Sequence, residues 1–232
     1  MPFFHAGPAP IAPAPRRGGL RDGLDLRPGM AVGLFGGSFN PAHEGHAHVA
    51  GTALRRLGLD RVIWLVSPQN PLKDARDSAP LAERLASAEA AAATVGPAMI
   101  VSDVESRIGT RWTVDTLRAL TARHPGVRFV WLMGSDNLAS FHRWRGWTDI
   151  LRMMPLAVVA RPGSLLESRS APAVRRFAAA RVPEAKARLL PSLPAPAWTW
   201  LNAPLKPHSS TALRSAPSPS PPPPVAPGDA RT

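Results

Sequence analysis

Short and almost uninterrupted apolar runs recur along this chain, and they leave it few folds. Val62–Val66 reads VIWLV, Val127–Met133 reads VRFVWLM and Leu156–Ala160 reads LAVVA. A strand that is apolar at nearly every position, not at every second one, must be covered on both faces. Helical patterns separate these runs. The chain therefore predicts an α/β fold, a parallel sheet with helices on both faces. The full series reads as strand Met30–Phe35, helix Gly45–Leu57 with Val49, Ala53, Leu54 and Leu57 on one face, then strand Val62–Val66. Next come a loop Ser67–Ser78, an alanine-rich helix Pro80–Thr94 and a short strand Met99–Ser102. A helix Thr113–Arg123 follows, with Thr113 as its cap, and then the strands Val127–Met133 and Leu156–Ala160. Ala173–Leu190 reads as mostly helix, interrupted at Pro183. Ala197–Leu201 is a last strand, and Ser209–Arg214 can begin a short helix.

The ends read differently. Residues 1–28 are rich in Pro, Gly, Ala and Arg without periodicity, and residues 215–232 are a Pro/Ser tail. Both are expected to be disordered, which leaves one domain over residues 29–214. Cysteine is absent, so disulfides and thiolate metal sites are excluded, in keeping with a cytoplasmic protein. No apolar run approaches the roughly 20 residues of a membrane span, and the N-terminus lacks the order of a signal peptide. The net charge of +12 invites a nucleic-acid reading. That charge is local: residues 151–214 hold 10 basic and 2 acidic groups, whereas residues 30–150 hold 13 and 11. A solvated helix face accounts for it, so neither a nucleic acid nor a membrane is expected as partner. None of these patterns encodes an oligomeric state.

The chemistry concentrates in Gly33–His48, GLFGGSFNPAHEGHAH, where the first strand hands over to a helix. Gly33, Gly36 and Gly37 read as residues that let the backbone turn and approach a ligand. His43 and His46 stand at the helix mouth, where free N–H groups and the helix dipole suit phosphate. No lysine follows the glycines, which excludes a P-loop. The glycine spacing also excludes a dinucleotide fingerprint.

Gly36-Gly37-Ser38-Phe39-Asn40-Pro41-Ala42-His43-Glu44-Gly45-His46 resembles the GxFxPxHxGH signature of the HxGH nucleotidyltransferase superfamily, with every fixed position filled. About 165 residues on, His208-Ser209-Ser210-Thr211-Ala212-Leu213-Arg214 is similar to that superfamily's ISSTxxR motif, with His208 in place of isoleucine. The resemblance implies a Rossmann-like nucleotidyltransferase fold. It implies that His43 and His46 act at the α-phosphate, that Gly36, Gly37, Ser38, Phe39 and Asp136 help bind ATP, and that Ser209, Ser210, Thr211 and Arg214 hold the triphosphate. Mg²⁺ would be held mainly by the ATP phosphates, with no protein metal site.

Further segments resemble the bacterial nicotinate mononucleotide adenylyltransferases. These are Asn70–Lys73, Thr110–Leu117 (TRWTVDTL), Gly134–Trp144 (GSDNLASFHRW) and the Arg161-Pro162-Gly163 turn. Trp112 stands where that family has tyrosine, and Ser135 where it has alanine. The likeness implies transfer of AMP from ATP to nicotinate mononucleotide, giving deamido-NAD and pyrophosphate. Trp112 and Trp144 would offer planes for the pyridine ring. Backbone N–H groups at Trp112–Thr113 would meet its carboxylate, and Asn40, Lys73 and Arg161 the mononucleotide. Phosphopantetheine adenylyl transfer is the alternative within the superfamily. DNA or RNA binding is the alternative outside it.

Overall fold

Seven strands among the described residues form one sheet in which every pairing is parallel, in the order β3-β2-β1-β4-β5-β7-β6. The computed structural model describes residues 23–68, 78–161 and 168–203. Its strands are β1 (Ala31–Gly37), β2 (Arg61–Val66), β3 (Met99–Ser102), β4 (Arg128–Gly134), β5 (Leu156–Val159), β6 (Arg181–Val182) and β7 (Trp198–Leu201). Its helices are α1 (Glu44–Leu57), α2 (Leu81–Ala93), α3 (Val104–Ile108), α4 (Thr113–Arg123), α5 (Ser135–Ser140), α6 (Trp147–Met153) and α7 (Pro172–Arg176). Among the described residues, no helix is long and apolar enough to cross a membrane.

The two-faced burial expected of the apolar runs is present. Alternate residues of each strand feed two separate cores. Val32, Leu34, Ile63, Leu65, Trp131, Met133 and Val158 pack against Val104, Leu117, Leu138, Phe141 and Ile150 of α3 to α6. Their neighbours Phe35, Trp64, Val66, Val130, Leu132 and Val159 pack against Val49, Ala53, Leu57 and Ala88 of α1 and α2, and against Leu190. Each fully buried aliphatic or aromatic side chain contributes roughly 1.5–3 kcal/mol.

β1 lies in the middle of the order, with β2 on one side and β4 on the other. The chain leaves β1 toward one edge of the sheet and returns at β4 to build toward the other. That is a topological switch point, where the segments beyond the strands' carboxyl ends diverge and leave a crevice. The residues after β1 (38–43), after β4 (135–136) and after β5 (160–161) flank it.

Four sequence expectations change. Gly33 and Gly36 are strand residues of β1 and make no turn. A Cβ on Gly36 would stand 2.4 Å from Trp131 Cη2, and one on Gly33 would stand 2.6 Å from Leu132 Cδ1. Their missing side chains make room for neighbours in the sheet. Thr113 is the first residue inside α4; Trp112 occupies the cap position, with no side-chain bond to the helix. The stretch 173–190 is no long helix. It breaks into α7, a 3₁₀ turn Ala178–Ala180, the strand β6 and a 3₁₀ segment Glu184–Ser192. Pro183 lacks an N–H, and its ring would clash with an α-helical turn preceding it, so no α-helix runs through it. Finally, α3, α5 and α6 fill stretches that carried no periodic pattern long enough to read. The predicted loop Ser67–Ser78 lies largely, and the expected short helix Ser209–Arg214 wholly, outside the described residues.

Gly36→Ala tests the packing role. It should lower the unfolding free energy in urea by about 1–3 kcal/mol, because the Trp131 ring has no room to retreat.

Candidate active site

α1 begins with a reciprocal pair of hydrogen bonds that also sets the chemistry of two imidazoles. His43 is the N-cap, extended at φ −153° and ψ 172°. Its Nδ1 accepts from the Gly45 N–H at 3.0 Å. His46, three residues on, accepts the His43 N–H at its own Nδ1, at 3.2 Å. This is a capping box in which imidazole nitrogens stand where a hydroxyl and a carboxylate usually do. The consequence is chemical: a ring whose Nδ1 accepts carries its proton on Nε2. Both rings are fixed with Nε2–H as the donor, and their centroids lie 4.0 Å apart. Two such donors beside a helix N-terminus suit an oxyanion.

Beneath them, Phe39 is 1% exposed and adopts φ 46°, a conformation rarely taken by a non-glycine residue. Its ring stacks on Trp64 at 5.1 Å, meets Phe35 edge-on at 5.6 Å and supports the His46 ring at 4.9 Å. Gly37 closes the arrangement, since a Cβ there would lie 3.2 Å from the Phe39 ring. The Phe39 side chain is therefore the floor under His46. Asn40 is also buried, and its Oδ1 accepts from Ala79 N–H at 3.2 Å. The Asn40–Pro41 peptide is cis.

Sequence reasoning missed what pins this loop. Arg84 of α2 is 3% exposed, and its guanidinium donates to four carbonyl oxygens. Ser67 receives a bond at 2.6 Å, Pro68 at 2.8 Å, and Ser38 and Ala79 at 2.9 Å each. Ser87, one turn further along α2, accepts from Ala42 N–H at 3.2 Å. An arginine on an alanine-rich helix carries no local signal of such a role; only the folded approach of three segments reveals it. Burial lowers the Arg84 pKa, yet the charge is retained on carbonyl dipoles.

Across the switch point, Asp136 and Arg161 hold each other. Arg161 Nη1 lies 2.8 Å from Asp136 Oδ2, with the arginine side chain 11% exposed and the aspartate 45%. The Arg161 N–H donates to the fully buried Ser135 hydroxyl at 2.8 Å. The two residues expected to meet separate parts of the substrates thus form one charged unit.

The two tryptophans part company. Trp144 joins an aromatic cluster, 5.4 Å from Phe141 and 6.3 Å from Trp131, both edge-to-face. Trp112 stays outside that cluster, partly buried, with the Arg111 and Arg145 guanidinium carbons 5.2 and 5.3 Å from its centroid. The turn before α4 therefore meets the turn before α6, and two cations lie against the Trp112 ring. Lys73, Ser209, Ser210, Thr211 and Arg214 lie outside the described residues. Within those residues no group of three or more His, Cys, Asp or Glu side chains could hold a metal ion.

The comparisons with known proteins agree on a family. Residues 34–216 match the family model described as cytidylyltransferase-like. A probable nicotinate-nucleotide adenylyltransferase of Caulobacter sp. (strain K31) is 62% identical over 185 residues, covering 80% of this chain and 97% of that relative. Another, from Methylorubrum extorquens, is 55% identical over 186 residues, covering 80% and 100%. Among solved structures, Plasmodium falciparum nicotinic acid mononucleotide adenylyltransferase complexed with NaAD superposes with a TM-score of 0.59 at 16% identity, covering 80% of this chain and 82% of that one. At that identity the likeness speaks for the fold.

Arg84→Lys should uncouple the loop from α2. A lysine has three donors on a flexible stem and cannot serve four carbonyls in one plane. Unfolding free energy should fall by about 3 kcal/mol, the scale of one or two lost charged hydrogen bonds. Turnover should fall at least tenfold, as roughly expected when a catalytic loop shifts by a fraction of an ångström.

Proposed function

Since this chain belongs to the cytidylyltransferase-like family, and within it to the nicotinate-nucleotide adenylyltransferases, we propose that it transfers AMP from ATP to nicotinate mononucleotide, giving deamido-NAD and pyrophosphate. One observation carries the chemistry: the capping box that turns both His43 and His46 into Nε2 donors at the switch point.

The reaction needs no enzyme nucleophile. A phosphate oxygen of the mononucleotide attacks the α-phosphorus of ATP. The bond from that phosphorus to the bridging oxygen breaks, and pyrophosphate leaves with the electron pair. What the protein supplies is alignment and charge neutralisation. In this reading the Nε2–H groups of His43 and His46 donate to oxygens of the transferring phosphate as charge builds on them. The start of α1 adds its dipole. Gly36, Gly37 and Ser38 bring backbone close to the nucleotide, and Phe39 acts through His46.

Asp136 would accept from a ribose hydroxyl, while its partner Arg161 would lean toward a substrate phosphate. An ion pair at the crevice can serve both, because the pair stays together as each member takes a second partner. Lys73, Ser209, Ser210, Thr211 and Arg214 are assigned to phosphates by their motifs alone. Trp112 is the better candidate for the pyridine ring, since Trp144 is engaged in the aromatic cluster. Mg²⁺ would be held mainly by the ATP phosphates and would supply charge neutralisation there. A hard cation keeps its waters and takes phosphate oxygens readily, so imidazole and hydroxyl donors around it suit a phosphate-held ion. The reaction is assigned to the cytoplasm, where ATP is supplied.

The test is a substrate comparison. Purified protein with ATP and Mg²⁺ should form pyrophosphate fastest with nicotinate mononucleotide, more slowly with nicotinamide mononucleotide, and not with phosphopantetheine. Preference for phosphopantetheine would overturn the reading. His46→Ala should reduce kcat/KM by about 10²–10³, the scale of one lost oxyanion donor. Its unfolding free energy should change by only about 1 kcal/mol, the scale of a helix cap.

A further inference from the structure

Glu105 is a carboxyl group in the wrong place for an ordinary surface acid. It lies on α3, just beyond the carboxyl end of β3, and is 7% exposed. Its Oε1 accepts from Thr116 Oγ1 of α4 at 3.3 Å. A second side-chain hydrogen bond joins it to Ser67, the residue after β2. Both partners lead onward. Thr116 Oγ1 lies 2.8 Å from Thr110 Oγ1, and the backbone N–H of Thr116 donates to Trp112 O at 3.1 Å. Glu105 O accepts the Thr110 N–H at 3.1 Å, so this residue holds the 110–112 turn by backbone and side chain together. On the other side, the Ser67 N–H donates to Gly37 O at 3.0 Å, and Ser67 O accepts from Arg84. A continuous chain of hydrogen bonds therefore runs from the loop carrying the histidines, through Ser67 and Glu105, to the turn carrying Trp112.

We propose that Glu105 is a positioning residue for the acceptor mononucleotide: bonded to Ser67 on one side and Thr116 on the other, it sets the Trp112 turn at a fixed distance from the histidine loop. The inference rests on the reading of the 110–113 turn as the acceptor's side of the site. Glu105 touches no substrate in this account. It acts through Thr110, Trp112 and Thr116.

The surroundings make this strut sensitive to protonation. Burial pushes the Glu105 carboxyl up to about 7, against the pull of its two hydroxyl partners. The charged groups on the neighbouring elements are engaged elsewhere. On α3, Arg107 pairs with Asp103 at 2.8 Å and donates to Ser102. On α4, Asp115 pairs with Arg118. From α2, Arg84 directs its donors at carbonyls, and in the turn Arg111 lies against Trp112. Among the described residues no cation is set against Glu105 to hold it ionised. Because the value is raised, the folded protein binds this proton more tightly than the unfolded chain does. Stability from this group is therefore complete below about 4.5 and falls as pH rises toward 7. Above 7 the buried carboxyl is an anion behind the turn assigned to an anionic acceptor, and acceptor binding weakens.

Two variants separate this role from bulk stabilisation. Glu105→Gln keeps the shape and both hydrogen bonds but cannot ionise. Glu105→Ala removes the strut. In assays with ATP and nicotinate mononucleotide, Glu105→Ala should raise the acceptor's KM about tenfold while the KM for ATP stays within about twofold. Glu105→Gln should restore the acceptor's KM. Its kcat/KM relative to wild type should rise about fivefold between pH 6 and pH 8.5, because only wild type acquires the buried charge. Any other group that ionises over this range, the substrate phosphate included, is common to both and cancels in the ratio. Should Glu105→Ala not fold, Thr116→Val breaks the same link and should give the same selective loss. Equal changes in both KM values, or a glutamine-to-wild-type ratio flat with pH, would overturn the proposal. A wild type that turns over no nicotinate mononucleotide would instead sink the functional reading, so the two failures are distinct.

Discussion

Arg84 brings a positive charge to a place that is 3% exposed, and there it ties together the parts of the site that no sheet or helix holds. Its four carbonyl acceptors belong to three segments: the loop after β1, the residues after β2 and the approach to α2. Each of those segments is irregular backbone beyond the end of a buried strand. Each carries a carbonyl that no strand of the sheet satisfies, and Arg84 takes it as an acceptor. A guanidinium solves the problem in one plane, because its donors fan outward in a fixed fork. The cost of burying the charge is offset by oriented dipoles, and the loop that holds Phe39 and the histidines inherits their rigidity.

From that fixed loop the rest follows in layers. Phe39 is held in a left-handed backbone conformation and by contacts to Trp64 and Phe35 on the α1 side of the sheet. It supports His46, which with His43 starts α1. The same two nitrogens that close the helix leave each Nε2 as the ring's donor. Folding and chemistry are thus written in one set of hydrogen bonds. On the other side of the crevice, β4 and β5 deliver Asp136 and Arg161 as a pair. Between the sides lies the sheet's change of direction, which no single residue makes.

The parts legible in the sequence were those with local physical signatures. Apolar runs at every position announced strands buried twice, and β1, β2, β4 and β5 stand within two residues of where those runs lie. The periodic face of Gly45–Leu57 announced α1, which begins one residue earlier. The glycine and histidine spacing announced a strand-to-helix loop, and the chain does pass there from β1 to α1. The misread parts depend on neighbours distant in the chain. Gly36 looks like a turn residue until Trp131, from a strand about 95 residues later, is laid over its α-carbon. Arg84 goes unread, because an arginine on an alanine-rich helix carries no local mark of the carbonyls it will meet. The alanines of 178–180 have high helix propensity, yet two nearby prolines and the docking of β6 on β7 override it. Trp144 and Trp112 are indistinguishable by type, and only the partners of each ring separate them.

The central place of β1 has a consequence for how the protein is made. It pairs with β2 some 25 residues later, but its other edge waits for β4, which begins about 60 residues after β2 ends. At a synthesis rate of about 5–20 residues per second, an emerging chain carries a half-paired apolar strand for roughly 3–12 s. In that interval Leu34 and Val32 have neither their sheet neighbour nor α4 to cover them. The nascent chain on the ribosome, far more than the finished enzyme, is the species at risk of aggregation, and a chaperone that binds extended apolar segments would find its target there.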